Sequence, residues 1–246
     1  MIGIFDSGMW WIVTLHYIKK LLPEYSFLYL WDTKNLPYWE KSEEFIRKRT
    51  FECLEWMFDK GCSLVVLACN TASAFTIRQW QDEFPDKKVL SITIPGVEAL
   101  YEWNFSRPML LATKATVESS IYQSVQKRLY PGQTIKFTPI MWEGLVRLIE
   151  SWASEYELVK LLTTLLINYE NSDCLVLGCT HYPLIIKTIK KITKDLPIID
   201  PSLEAAKKLV SYLKKHPKYT ITDTNEVSFY VTKNVNYWYK EQLVSI

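Results

Sequence analysis

Short apolar runs alternate along this chain with longer stretches in which apolar residues recur every three or four positions. The runs predict strands buried on both faces, as in parallel sheets, and the longer stretches predict amphipathic helices. Strands are expected at Ile2–Phe5, Phe27–Leu30, Leu64–Ala68 and Val89–Ile92, the last closed by Pro95-Gly96. Helices fall between them at about 12–22, stopped by Pro23, at 42–58, ended by Gly61, and at 72–83. The pattern then restarts. Strands are expected at Met109–Ala112, Ile135–Phe137, Leu175–Leu177 and Ile198-Ile199, and helices at 117–128, 144–150, 155–169, 184–194 and 203–214, with a last strand near 227–231. Strand–helix alternation means βαβ units, so the expected fold is α/β, two similar open domains with mostly parallel sheets and the active site in the cleft between them. Residues 1–95 with 208–246 are expected to form one half and residues 96–207 the other.

Two of the strands end alike. Leu64-Val65-Val66-Leu67-Ala68 runs into Cys69-Asn70-Thr71, and about 110 residues later Leu175-Val176-Leu177-Gly178 runs into Cys179-Thr180-His181. Open α/β sheets bind ligands beyond the carboxyl ends of their strands. Each thiol is therefore expected where such a fold keeps its chemistry, one acid/base group for each face of a substrate. Helix N-termini after the cysteines would favour an anion such as a carboxylate. A strand-end cysteine is also a common packing residue. His181 is either a surface histidine or a partner of the Cys179 thiol. Asp6-Ser7 closes the first strand at the same edge, as a helix cap or as part of the crevice. Asp32-Thr33 and Tyr38 follow the second strand at that edge. Cys53, Cys62 and Cys174 fall inside predicted elements and are assigned to packing.

Composition narrows the picture. The net charge of +2 is spread along the chain, which gives no footprint for nucleic acid. The apolar runs are far too short to span a membrane, and Ile2–Phe5 opens without a charged leader, so a cytoplasmic protein is expected. Five cysteines with no C-x-x-C spacing suit reduced thiols better than disulfides or zinc. No metal or cofactor is expected. The chain has 7 Gly and 10 Trp, although average usage would give roughly 17 glycines.

At these residues the chain resembles the glutamate racemase family, within the broader aspartate/glutamate racemase group. The resemblance is carried by Phe5-Asp6-Ser7-Gly8, Asp32-Thr33, Pro37-Tyr38, Ala68-Cys69-Asn70-Thr71-Ala72-Ser73, Gly144-Leu145-Val146 with Leu148-Ile149-Glu150, and Gly178-Cys179-Thr180-His181-Tyr182-Pro183, in the family's order and over most of the chain. Ser73 and His181 look like the glutamate branch. The resemblance implies a cofactor-independent racemase in which Cys69 and Cys179 are the two bases. It implies that Asp6 assists Cys69, that His181 assists Cys179, and that Glu150 is a further catalytic acid. It implies that Ser7, Tyr38, Trp39, Asn70, Thr71 and Thr180 hold the substrate, L- or D-glutamate, with D-glutamate feeding peptidoglycan. The small-molecule substrate is the only expected partner apart from a second copy of the chain, since a homodimer stays open. An aspartate or broad-specificity racemase is the alternative enzyme, and a non-catalytic amino-acid-binding homologue is the alternative outside catalysis.

The chain departs from the family where tryptophan replaces an expected glycine, at Trp10, Trp11, Trp31, Trp39 and Trp152. Exchange between the smallest and the largest residue at five places suggests recoding, because some bacterial lineages read UGA as glycine. If the tryptophans are genuine, those on the substrate loops are expected to crowd the site, since glycine there allows close backbone approach.

Overall fold

The computed structural model describes residues 1–8, 12–142, 144–219 and 225–233, with Ile12 described through its backbone. Trp10 and Trp11 lie outside the described residues. The first elements are β1 (Ile2–Asp6), α1 (Ile12–Leu21), β2 (Phe27–Trp31), α2 (Glu43–Asp59), β3 (Leu64–Leu67), α3 (Asn70–Glu83), β4 (Val89–Ser91) and α4 (Thr93–Glu102). They are followed by β5 (Pro108–Ala112), α5 (Lys114–Glu118), α6 (Ile121–Leu129), β6 (Thr138–Met141), α7 (Gly144–Glu150), α8 (Glu155–Leu165), β7 (Cys174–Gly178), α9 (Ile186–Thr193), β8 (Ile198–Ile199), α10 (Pro201–Lys215) and β9 (Val227–Val231). The strands form two sheets, ordered β4-β3-β1-β2-β9 and β6-β5-β7-β8, and every pairing is parallel. The expectation of two parallel α/β sheets is borne out. No helix among the described residues is long and apolar enough to cross a membrane.

Each sheet is buried on both faces, which is why its strands read as unbroken apolar runs. In the first sheet Ile2, Ile4, Tyr29 and Val66 share one core with Leu15 and Ile18 of α1 and with Ala206 and Leu209 of α10. Their neighbours Phe5, Leu28, Val65 and Leu67 point the other way, onto Leu54 and Met57 of α2 and Ile77 and Trp80 of α3. In the second sheet Met109, Leu111, Leu175 and Leu177 meet α7, α8 and α9, while Leu110 and Val176 meet α4 and α6.

Three elements differ from the pattern. Pro95-Gly96 lies inside α4 and closes no strand. Proline is tolerated there because amides in the first helical turn have no partner within the helix. The expected strand at 135–137 is found three residues later as β6, an edge strand that accepts Pro139. The expected helix at 117–128 is two helices, broken at Ser120, which takes the left-handed conformation (φ 53°).

Candidate active site

Strand register assembles the first half of the site. β1 and β3 are neighbours with Phe5 opposite Leu67, so the residues just past each strand, Ser7 and Cys69, emerge side by side. The Ser7 Oγ lies 2.9 Å from the Cys69 Sγ. Cys69 also caps α3, its sulfur accepting from the Ala72 amide at 3.3 Å. Asp6, fully buried, accepts from the amides of Ser7 (2.7 Å) and Gly8 (3.1 Å) through Oδ1. Its Oδ2 has no partner in good hydrogen-bond geometry among the described residues, although the Thr180 hydroxyl is close enough to draw its pKa down.

The second half follows the same logic. Ala112 of β5 pairs with Gly178 of β7, so Thr113 and Cys179 leave the sheet together. The ring of His181 is almost fully buried. Its Nδ1 lies 3.5 Å from the Cys179 Sγ and its Nε2 lies 3.0 Å from Oε1 of Glu150, the last residue of α7. Gly8 from the first half lies against this ring, where a Cβ would collide with it. The turn after β1 needs glycine for that close approach.

The electrostatics are unequal. Burial, then the charge of Asp6, pushes the Cys69 thiol up to about 12. Burial also raises Asp6, with the His181 charge opposing it, and leaves the carboxyl at about 6. Burial disfavours an imidazolium at His181, yet the charges of and hydrogen bonds to Cys179 and Glu150 carry its pKa up to about 10.

Side chains from both halves close around the two sulfurs. Thr71 of α3 shares hydroxyl contacts with Thr113 (3.0 Å) and Thr116 (3.4 Å). Asn70 accepts from the Tyr122 hydroxyl of α6 through Oδ1 at 2.8 Å, while its buried Nδ2 has no partner among the described residues. The structure thus gathers Asp6, Ser7, Cys69, Asn70, Thr71, Glu150, Cys179, Thr180 and His181. Tyr38 is buried in the same core as Cys69, and its phenol donates to Asp32 Oδ2 at 2.7 Å, in a network with Arg49, Asn35 and Thr232. Trp39 leaves the first half and packs on the core around Cys179, Tyr182 and Leu145. Thr113, Thr116 and Tyr122 were not singled out from the sequence. Thr113 carried a legible signal, because it directly follows a predicted strand.

Two parallel α/β sheets, each followed at one strand end by a buried cysteine among buried hydroxyl, amide, imidazole and carboxyl groups from both halves, define an α/β protein with a paired-thiol polar site. The sequence profile of the Asp/Glu/Hydantoin racemase family matches residues 14–209, and the chain belongs to that family. Glutamate racemase of Aquifex aeolicus (strain VF5) is 36% identical over 224 residues, covering 87% of this chain and 83% of that protein. The Persephonella marina protein of the same name is 34% identical over 241 residues, covering 94% of this chain and 87% of its own. Among solved structures, glutamate racemase of Francisella tularensis in complex with D-glutamate superposes with a TM-score of 0.88 at 29% identity, covering 100% of this chain and 93% of that one. The racemase resemblance carried by the motifs is borne out.

Proposed function

We infer that this enzyme interconverts L- and D-glutamate by a two-base transfer between Cys69 and Cys179, in the cytoplasm, and supplies D-glutamate for peptidoglycan. The observation that carries the reading is the pair of buried strand-end sulfurs, one 2.9 Å from the Ser7 hydroxyl and one 3.5 Å from the His181 imidazole. Inversion at Cα needs a base on one face and an acid on the other. Cys69, pushed up to about 12 by burial and by Asp6, rests as the thiol and serves as the acid. Cys179 beside the His181 cation serves as the base. In one direction Cys179 takes the Cα proton while Cys69 delivers one to the opposite face. The reverse reaction exchanges the roles. Glu150 holds the His181 ring, and Asn70, Thr71 and Thr180 offer hydrogen bonds to the substrate carboxylates and amine. The names of the relatives and the D-glutamate bound to the Francisella protein favour glutamate over aspartate.

The test is L-glutamate in D2O, without pyridoxal phosphate and with EDTA. Optical rotation should be lost and the D-glutamate formed should carry deuterium at Cα. Cys69→Ser and Cys179→Ser should each abolish turnover, because a serine hydroxyl is far less acidic than a thiol, whereas Cys53→Ser and Cys62→Ser should keep it. Turnover that appears only with pyridoxal phosphate, or survives either active-site substitution, would overturn the mechanism.

A further inference from the structure

Asn70 stands first in α3, directly after Cys69, and is buried to 3% exposure. Its amide is used on one side only. Oδ1 accepts from the Tyr122 hydroxyl at 2.8 Å, and Nδ2, also buried, has no partner among the described residues. An unpaired buried amide donor carries the full penalty of its lost hydration, so it is expected to have a ligand to serve. The amide oxygen and nitrogen exchange places by a half-turn of the group, so something must fix which of them faces the cleft. Tyr122 supplies that. Its phenol is fully buried in the second half among Val97, Leu110 and Val125. Burial and the charges of Asp200 and Cys179 hold its proton in place well above the ordinary tyrosine range. A phenol that keeps its proton and meets a carboxamide can donate to the oxygen, and this leaves the NH2 group for the cleft.

We propose that Tyr122 is a positioning residue of the racemase site: reaching across from the second half, it sets the orientation of the Asn70 amide so that Nδ2 is presented to an anionic or carbonyl oxygen of the amino-acid substrate. This rests on the reading of the chain as a glutamate racemase. The role belongs to binding, not proton transfer, so it acts on ground state and transition state alike and shows in KM rather than kcat.

The experiment is Tyr122→Phe, which removes one oxygen and keeps the ring. With loss of one hydrogen bond at stake, KM for both enantiomers should rise by about five- to tenfold, with kcat within about twofold; the melting temperature should fall, because the buried Asn70 Oδ1 loses its donor, so KM is measured well below it. Asn70→Ala should raise KM on its own, and adding Tyr122→Phe to it should change nothing further, because the amide to be oriented is gone. In the ligand-free protein, the Asn70 side-chain NH2 resonances, assigned by their loss in Asn70→Ala, should shift in Tyr122→Phe. That readout requires no turnover. An unchanged KM, full additivity in the double variant, or unmoved amide resonances would each overturn the proposal. Failure of the parent enzyme to racemise glutamate would instead count against the underlying reading, and the amide resonances would still decide the role of Tyr122.

Discussion

Two helices end in the same motif with opposite residues at the same place. After α2, Gly61 donates to the Phe58 carbonyl and Cys62 to that of Met57; after α7, Trp152 donates to Ile149 and Ala153 to Leu148. Both are Schellman closures, in which the residue after the cap takes the left-handed conformation. Gly61 does so at φ +88° and Trp152 at φ +56°. For a residue with a Cβ that conformation costs roughly 1–2 kcal/mol, and Trp152, 67% exposed, recovers little by burial. Position 152 is therefore where the backbone itself asks for glycine. Trp31 differs: it is buried at the end of β2 and fills the core beside Ile4 and Tyr29. Trp152→Gly should raise the unfolding free energy by about 1 kcal/mol, the relief of strain less the extra chain entropy of glycine. Trp31→Gly should lower stability by about 3–5 kcal/mol through the cavity it leaves. Urea unfolding of both variants checks this, and equal effects would undo the conformational argument. The codon at position 152 is the first to read for recoding to glycine.

At the scale of elements, the end of α7 and the turn after β7 are joined by the Glu150–His181 pair. The ring's pKa is raised from an ordinary 6.5 to about 10, so the folded protein binds this proton more tightly than the unfolded chain. The stability it contributes is full below pH 6.5 and is lost as the pH climbs through 10. The buried Asp6 and Asp200 carboxyls, raised from 3.8 to about 6, contribute in the same sense over a lower window, full below 3.8 and lost as the pH passes 6. Melting temperature should therefore decline from pH 6.5 towards pH 10. In Glu150→Gln, with one of the groups that hold the proton removed, the decline should be shallower and finish at lower pH. Superimposable profiles for the two proteins would show that Glu150 does not set the charge of His181.

At the scale of the whole molecule, the two sheets meet through polar contacts at the site and at its rim. Thr71 meets Thr113, Asn70 meets Tyr122, and Glu40 pairs with Arg147. Trp39 adds an apolar contact onto the second core. A ligand that touches both halves binds only the closed, folded chain and so stabilises it by mass action, about 2.7 kcal/mol at a hundred times its Kd. D-Glutamate should therefore raise the melting temperature by several degrees, with one cooperative transition. Cys179→Ser, which keeps the shape of the site, should show a similar shift while turning nothing over. A thermal shift confined to the active parent would break the separation of binding from catalysis assumed here.

Local order was legible in the sequence because it depends on near neighbours. Buried parallel strands show as continuous apolar runs, the helix cap at Ser42 and the stop at Gly61 as single residues, and the two cysteines stand out because they follow strands rather than lie within them. That information was enough for two parallel sheets, and with the motifs around the thiols it was enough for the family. Edge position is not a local property, so β6 was displaced, and a first-turn proline reads like a strand stop, so α4 was missed. Partners across the cleft were hidden for the same reason. Nothing near Tyr122 in sequence says that it meets Asn70, 52 residues away. The residue types and the strand ends were set by the sequence; which hydroxyl meets which amide, which thiol is pushed up by burial and which stands beside a cation, was decided only when strand register and the packing of two halves fixed distances that no stretch of chain contains.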